Sequence, residues 1–200
     1  MEPTKNDSAR AFFISAIKFA DAIHTVSSHL AQAASKYFDV RSKTFTIRRT
    51  PDAVKAINRN ISFDMDQISL TSIGRFNWTK GFTYLLQALK LVNDQGYTVT
   101  LNLIGDGDEN ERNEILYWID YLGLTDMVKL HGYLKSESID AILEKTHIYL
   151  QPSISEGIPN TLTRVIANKI PVVASSAGGI PEIVHDEHGI LVPPGNPESI

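Results

Sequence analysis

The sequence predicts an α/β domain built on a doubly wound parallel sheet. Two observations carry that prediction. From Ile68 onward, short apolar runs alternate with segments of helical spacing, the rhythm of strands joined by crossover helices. The apolar runs are nonpolar almost throughout, as strands covered on both faces are. Right-handed crossovers then bring the loops after each strand to one edge, where ligands of such sheets bind.

Taken in order, Ser8 to Ile23 has helical spacing, with Phe12, Phe13, Ala16, Ile17 and Phe19 apolar. His24 to Ser27 predicts a short strand, Ser28 to Phe38 a helix, and Lys43 to Arg48 a strand. Arg49 to Gln67 is polar and poorly periodic, which marks a linker. The regular part follows. Strands are expected at ISLTSIG, YTVTLNLIG, MVKLHG, HIYLQPS, IPVVASS and HGILVPP. Between them, helices are expected from Lys80 to a stop at Gly96, from Asp108 to a stop at Gly123, and over SESIDAILEKT. A further helix follows the turn after Glu156, and GGIPEIV predicts a short helical turn. The chain contains no internal repeat.

Composition narrows the function classes. A chain of 200 residues that is 42% hydrophobic can bury a core. A net charge of −4 does not favour nucleic-acid or membrane binding. The absence of cysteine rules out disulfides, thiolate metal sites and a cysteine nucleophile, and fits a reducing cytoplasm. No apolar run approaches the roughly 20 residues of a spanning helix, and MEPTKNDSAR lacks a signal peptide's apolar segment. Without such a signal the glycosylation patterns at Asn60 and Asn77 carry no weight. Pro197 and Glu198 read as a helix start with no helix behind it, so the chain is expected to be a piece of a longer protein.

Four loops could carry chemistry. The first, Gly74 to Gly81 (GRFNWTKG), follows a strand and opens a helix, and places Arg75 and Lys80 beside a helix start. Unpaired amides and a partial positive charge at such a start suit an anion, and two cations strengthen the case. Seen alone, either cation has an ordinary surface role open to it. The second, Ile104 to Glu109, has G-x-G but lacks the third glycine of a dinucleotide fingerprint, and its acids repel a pyrophosphate. A calcium loop fails there too, because Glu111 replaces the required glycine and Tyr117 the final acid. Turn chemistry and helix-start acids explain it. The third is the turn from Glu156 through Gly157, Ile158 and Pro159, with Asn160 or Thr161 capping the next helix. Its amides, through Leu162, face the same edge, and Glu156 is an acceptor suited to sugar hydroxyls. The fourth, Ser176 to Val184, is a second glycine turn, in which Glu182 has a structural role open to it. Asp64-Met-Asp66 spells a metal-and-diphosphate motif but sits in the linker and reads as a solvated turn. His131 could line a pocket or simply satisfy a strand end. His185 and His188 lack a third metal ligand.

The ordered set GRFNWTKG, LIGDGDE, VKLHGYL, LQPSISEGIPNTL, PVVASSAGGIPEIV and HGILVPPGNPE resembles the donor-binding half of the GT-B glycosyltransferases, above all the retaining family four. The likeness runs unbroken from about Ile68 to Ile200, and the preceding segment is similar to the end of that family's N-terminal domain. It implies a Rossmann-like C-terminal domain over residues 63–200, with residues 1–62 as the partner domain's tail and linker. It also implies transfer of a sugar from a nucleotide-sugar to a glycan or lipid-linked acceptor with retention, without cofactor or metal. Arg75 and Lys80 would then bind the diphosphate, with Gly74 in the same loop. Glu156 would hold the sugar, helped by the amides of Gly157, Ile158 and Asn160 in the turn that Pro159 shapes. Thr161 and Leu162 would approach the phosphates, and Gly132 and Tyr133 would border the base. The enzyme would work in the cytoplasm or at the inner face of a membrane. Without the rest of the partner domain, Phe12 and Phe13 would be exposed or would drive self-association.

One position departs. The family places a second Glu eight residues after the first, where it grips the ribose; here that residue is Arg164. A guanidinium cannot accept from a hydroxyl. Either Arg164 adds a phosphate contact and the donor is bound differently, or the domain is a weak or inactive module.

Overall fold

The computed structural model describes residues 7–36, 39, 41–47, 56–59, 61 and 68–200. The expected boundary at 62–63, the Asp64/Asp66 pair and the Asn60 acceptor pattern lie outside them.

The N-terminal elements are α1 (Asp7–Phe19), β1 (Ile23–Thr25), α2 (Ser28–Ser35) and β2 (Thr44–Thr46). The expected helix to Ile23 stops at Phe19. Ile23 pairs in parallel with Thr44, so tertiary pairing takes a residue that helix spacing alone assigned to α1. Ser27 caps α2, its hydroxyl accepting from the Leu30 amide at 3.2 Å. Phe12 and Phe19 are each 77% exposed, a solvent-facing apolar stripe on α1, and Phe13 is also exposed.

The principal sheet contains β3 (Ile68–Ile73), β4 (Val99–Ile104), β5 (Val128–Gly132), β6 (Ile148–Gln151), β7 (Val172–Ser175) and β8 (Gly189–Val192). All pair in parallel, in the order β5-β4-β3-β6-β7-β8. The helices between them are α3 (Phe82–Asp94), α4 (Glu109–Tyr121), α5 (Ser136–Leu143) and α6 (Asn160–Ala167). α3 buries Phe82, Leu85, Leu86 and Leu89, the one-face spacing of a helix on a sheet. With Ile115 and Ile119 of α4 these side chains form one core layer, which includes Leu101 and Leu103 of β4. Leu143 of α5 and Leu162 and Val165 of α6 join Tyr149, Val172 and Ala174 in the other layer.

Three short expectations change form. The helix expected from Lys80 is a 3₁₀ turn at Trp78–Lys80, with α3 starting only after Gly81. GGIPEIV contains a 3₁₀ turn at Ile180–Glu182. Pro197 opens another, Pro197–Ser199, whose Glu198 amide donates to the Asn196 side chain at 3.1 Å. The described linker residues strap the second layer. Ile57 packs on it and donates its amide to Asn168, while Arg59 donates to the carbonyls of Thr146 and Lys169, both at 2.6 Å.

The sheet order places the site. β3 is followed outward by β4 and β5 on one side, and β6 by β7 and β8 on the other. The loops leaving β3 and β6 therefore diverge to opposite faces and open a crevice at their carboxyl ends.

Candidate functional site

The loops after β3 and β6 are sewn together at this crevice. The amides of Ile154 and Ser155 both donate to the Thr79 carbonyl, at 2.8 and 3.3 Å. Gly81 makes the contact possible. It has φ +69°, and a Cβ there would lie 2.0 Å from the Pro152 carbonyl oxygen. The approach brings Lys80 against Glu156, whose Oε1 accepts from the ammonium group. Only 22% of the lysine side chain and 12% of the glutamate side chain are exposed. Charges this far from water are retained by pairing. Ser153 donates a second hydrogen bond to the same oxygen at 3.2 Å.

Around this pair the expected residues occupy one edge. Gly74 packs against the Lys80 stem, and an added Cβ would meet it at 3.3 Å. Arg75 is largely exposed and reaches Glu111 at 3.5 Å. Gly132 ends β5 with φ +64°, its carbonyl taken by the Gly105 amide, and Tyr133 beside it is 86% exposed. The turn of Glu156, Gly157 and Ile158 rests on the second glycine turn, where the Gly179 amide donates to the Gly157 carbonyl at 2.9 Å. Neither Asn160 nor Thr161 caps α6. Pro159 holds the cap position and its carbonyl accepts from Leu162 and Thr163, because the chain enters the helix from a proline-fixed turn. The Leu162 side chain is fully buried in the core, which leaves only its backbone facing the turn.

Arg164 faces elsewhere. Its guanidinium ion-pairs with Asp140 of α5 and donates to the Ser136 carbonyl at 3.3 Å. It thus bolts α6 to α5.

The remaining polar loops have structural partners. Asp106 binds Arg112 through two bonds of 2.9 and 2.6 Å and accepts from the Gly107 amide, and these bonds hold its carboxyl below the ordinary range. Asp108 and Glu111 form a reciprocal capping box at the start of α4. His185 donates its amide to His188 within a turn. Among the described residues, no three His, Asp or Glu side chains gather as a metal site.

His131 bonds the Asn102 side-chain oxygen at 2.9 Å. Burial, then the charge of Lys129, push its pKa below the ordinary 6.5. A lowered folded pKa means the unfolded chain takes up the proton first, so stability present above 6.5 is lost as pH falls through the folded value. The melting temperature of His131→Gln, relative to the unsubstituted protein, should therefore move in the variant's favour from about pH 7 to about pH 5.

Residues 54–200 match the family described as glycosyl transferases group 1. The chain belongs to this family. Among curated relatives of this group 1 chain, the amylovoran biosynthesis glycosyltransferase AmsK of Erwinia amylovora is 31% identical over 140 residues, covering 66% of this chain and 34% of the relative. The 2-deoxystreptamine glucosyltransferase of Streptomyces kanamyceticus is 28% identical over 112 residues, covering 56% and 28%. Among solved structures, Anabaena HepE in complex with UDP and glucose superposes with a TM-score of 0.79 at 21% identity, over 96% of this chain and 55% of that one. Sucrose-phosphate synthase from Thermosynechococcus elongatus gives 0.80 at 20%, over 100% and 52%. These superpositions establish the GT-B, Rossmann-like fold expected from the sequence. The group 1 chain spans between 34% and 39% of the length of the first curated relatives. Among its described residues, no helix is long and apolar enough to cross a membrane.

Proposed function

We propose that this group 1 domain binds a UDP-sugar in the crevice between β3 and β6, and that the intact enzyme transfers the hexosyl group with retention and without a metal. The observation that carries the reading is the Lys80–Glu156 pair, anchored at the switch point of the sheet. As the bond from the anomeric carbon to phosphate breaks, its electron pair passes to the diphosphate. Lys80 and the swinging guanidinium of Arg75 stabilise that charge, in the place a divalent cation fills elsewhere. Glu156 accepts from sugar hydroxyls, and the amides of Gly157, Ile158 and Asn160 supply donors. Gly132 and the exposed Tyr133 ring border the base. HepE, which shares the fold, carries UDP and glucose in its crystal structure. The acceptor is a glycan or lipid-linked glycan, met in the cytoplasm or at the inner face of a membrane. The exposed face of α1 receives the rest of the amino-terminal half, or a second copy.

Calorimetric titration with UDP-glucose and a GDP-sugar, in the presence of EDTA, tests the reading. Lys80→Ala and Arg75→Ala should each weaken binding about 10–100-fold, the worth of a charge-assisted bond, with circular dichroism unchanged. A folded protein that binds no nucleotide overturns it. A second reading, a nucleotide-binding module without turnover, draws on Arg164. That side chain offers no acceptor to a ribose and is held by Asp140. Donor binding by the full-length enzyme without transfer or donor hydrolysis would favour it.

A further inference from the structure

Behind Glu156 runs a buried row of side chains that the donor reading does not use. Tyr149 and Ser153 are fully buried and Gln151 nearly so. The Tyr149 hydroxyl lies 3.1 Å from Gln151 Oε1, Gln151 Nε2 lies 2.8 Å from Ser153 Oγ, and Ser153 Oγ lies 3.2 Å from Glu156 Oε1.

The direction of every bond in this row follows from its last member. An ionised carboxylate only accepts, so the single Ser153 proton goes to Glu156. Ser153 must then accept from its other neighbour, which turns the Gln151 amide nitrogen toward it. The Gln151 oxygen therefore faces Tyr149 and accepts the phenolic proton. Reversal would turn the Tyr149 hydroxyl to the Ile73 carbonyl, 3.5 Å away, and set the Ser153 oxygen 3.2 Å from a carboxylate oxygen with no proton between them, which is costly. Glu156 Oε1 receives both Ser153 and Lys80, while Oε2 has no partner among the described residues.

We infer that Gln151, acting through Ser153, fixes the Glu156 carboxylate so that Oε1 is occupied by Lys80 and Oε2 is presented to a hydroxyl of the bound sugar. Gln151 and Ser153 are positioning residues. The role of Oε2 rests on the donor reading; the holding of Glu156 does not.

The test uses Gln151→Met, Ser153→Ala and the double variant, each with two measurements. In calorimetry, each single variant should weaken UDP-glucose binding about three- to tenfold, the worth of one modest hydrogen bond since Lys80 still holds Glu156, while UDP, which has no sugar, binds within about twofold of the parent. The double variant should lose no more than Ser153→Ala alone, because Gln151 acts only through the serine. In nitrogen-15 NMR, the Lys80 ammonium signal, sheltered by a fixed carboxylate, should exchange faster with water in both single variants. Equal losses for UDP and UDP-glucose, or fully additive losses, would show a packing role and overturn the inference. An unchanged Lys80 signal overturns it whether or not a nucleotide binds. A changed signal in a protein that binds no nucleotide leaves the holding of Glu156 standing and removes the donor reading alone.

Discussion

Arg164→Glu should lower the melting temperature sharply and leave nucleotide affinity without a gain. The substitution writes the family's second glutamate back into the motif, and on sequence grounds it would restore ribose recognition. The structure predicts otherwise. Only 23% of the Arg164 side chain and 11% of the Asp140 side chain are exposed, so the new glutamate would face a carboxylate in a poorly solvated seam. Breaking a buried pair costs about 3–5 kcal/mol, and residual solvent puts this one near the lower end. At about 2–4 °C per kcal/mol for a domain of this size, the loss is on the order of 10 °C. Adding Asp140→Asn should recover much of it, because the amide can donate to the new carboxylate. Scanning calorimetry of the two variants reads this directly. A single variant that keeps its melting temperature and gains tenfold in UDP affinity would show that Arg164 obstructs the ribose position and that its pair with Asp140 contributes little.

Gly178→Ala should damage the same crevice from behind. Gly178 has φ +57°, and a Cβ built on it falls 1.8 Å from the Glu156 carbonyl oxygen. An alanine in the left-handed region costs about 1–2 kcal/mol, and relief of the clash requires the Glu156 backbone to move as well. A total near 3 kcal/mol is expected, with UDP-glucose binding weakened at least about tenfold because Glu156 and Lys80 separate. Gly96→Ala is the matched control. Gly96 also has positive φ, +85°, but nothing lies within 4 Å of an added Cβ. It should lower stability by the backbone term alone and leave binding intact. Equal binding by both variants would mean that the Gly178 turn does not support Glu156.

The two substitutions mark where the sequence stops being readable. Lys80 and Glu156 were both legible as candidates, one as a cation at a helix start and the other as an acid in a glycine-proline turn. Their contact was not, because it depends on Gly81 letting the Pro152 carbonyl, far along the chain, come close. Asp140 carried no motif at all. It lies on α5, and only the packing of α5 beside α6 brings it to Arg164. Ser153 and Gln151 read as the end of an apolar strand, in the pattern β-strands use to alternate faces. Both point to the same side as Tyr149, which makes the polar row possible, yet alternation cannot say that a row exists. The acidic loop at Asp106 and Asp108 is legible as turn and cap chemistry, because a capping box is local.

Local physics by itself determined the α/β class, the strand and helix order, the turn glycines and the edge on which the loops gather. Those features depend on periodicity, steric freedom at glycine and helix-end chemistry, all of which act within a few residues. The tertiary structure alone decided that Lys80 meets Glu156, that Arg164 turns to Asp140, that α1 gives up Ile23 to a strand, and that Glu156 rests on the Gly178 turn. Each of these is a contact between residues distant in the chain. Its energy appears only when the sheet order sets two loops side by side and burial takes away the water that would otherwise satisfy both partners.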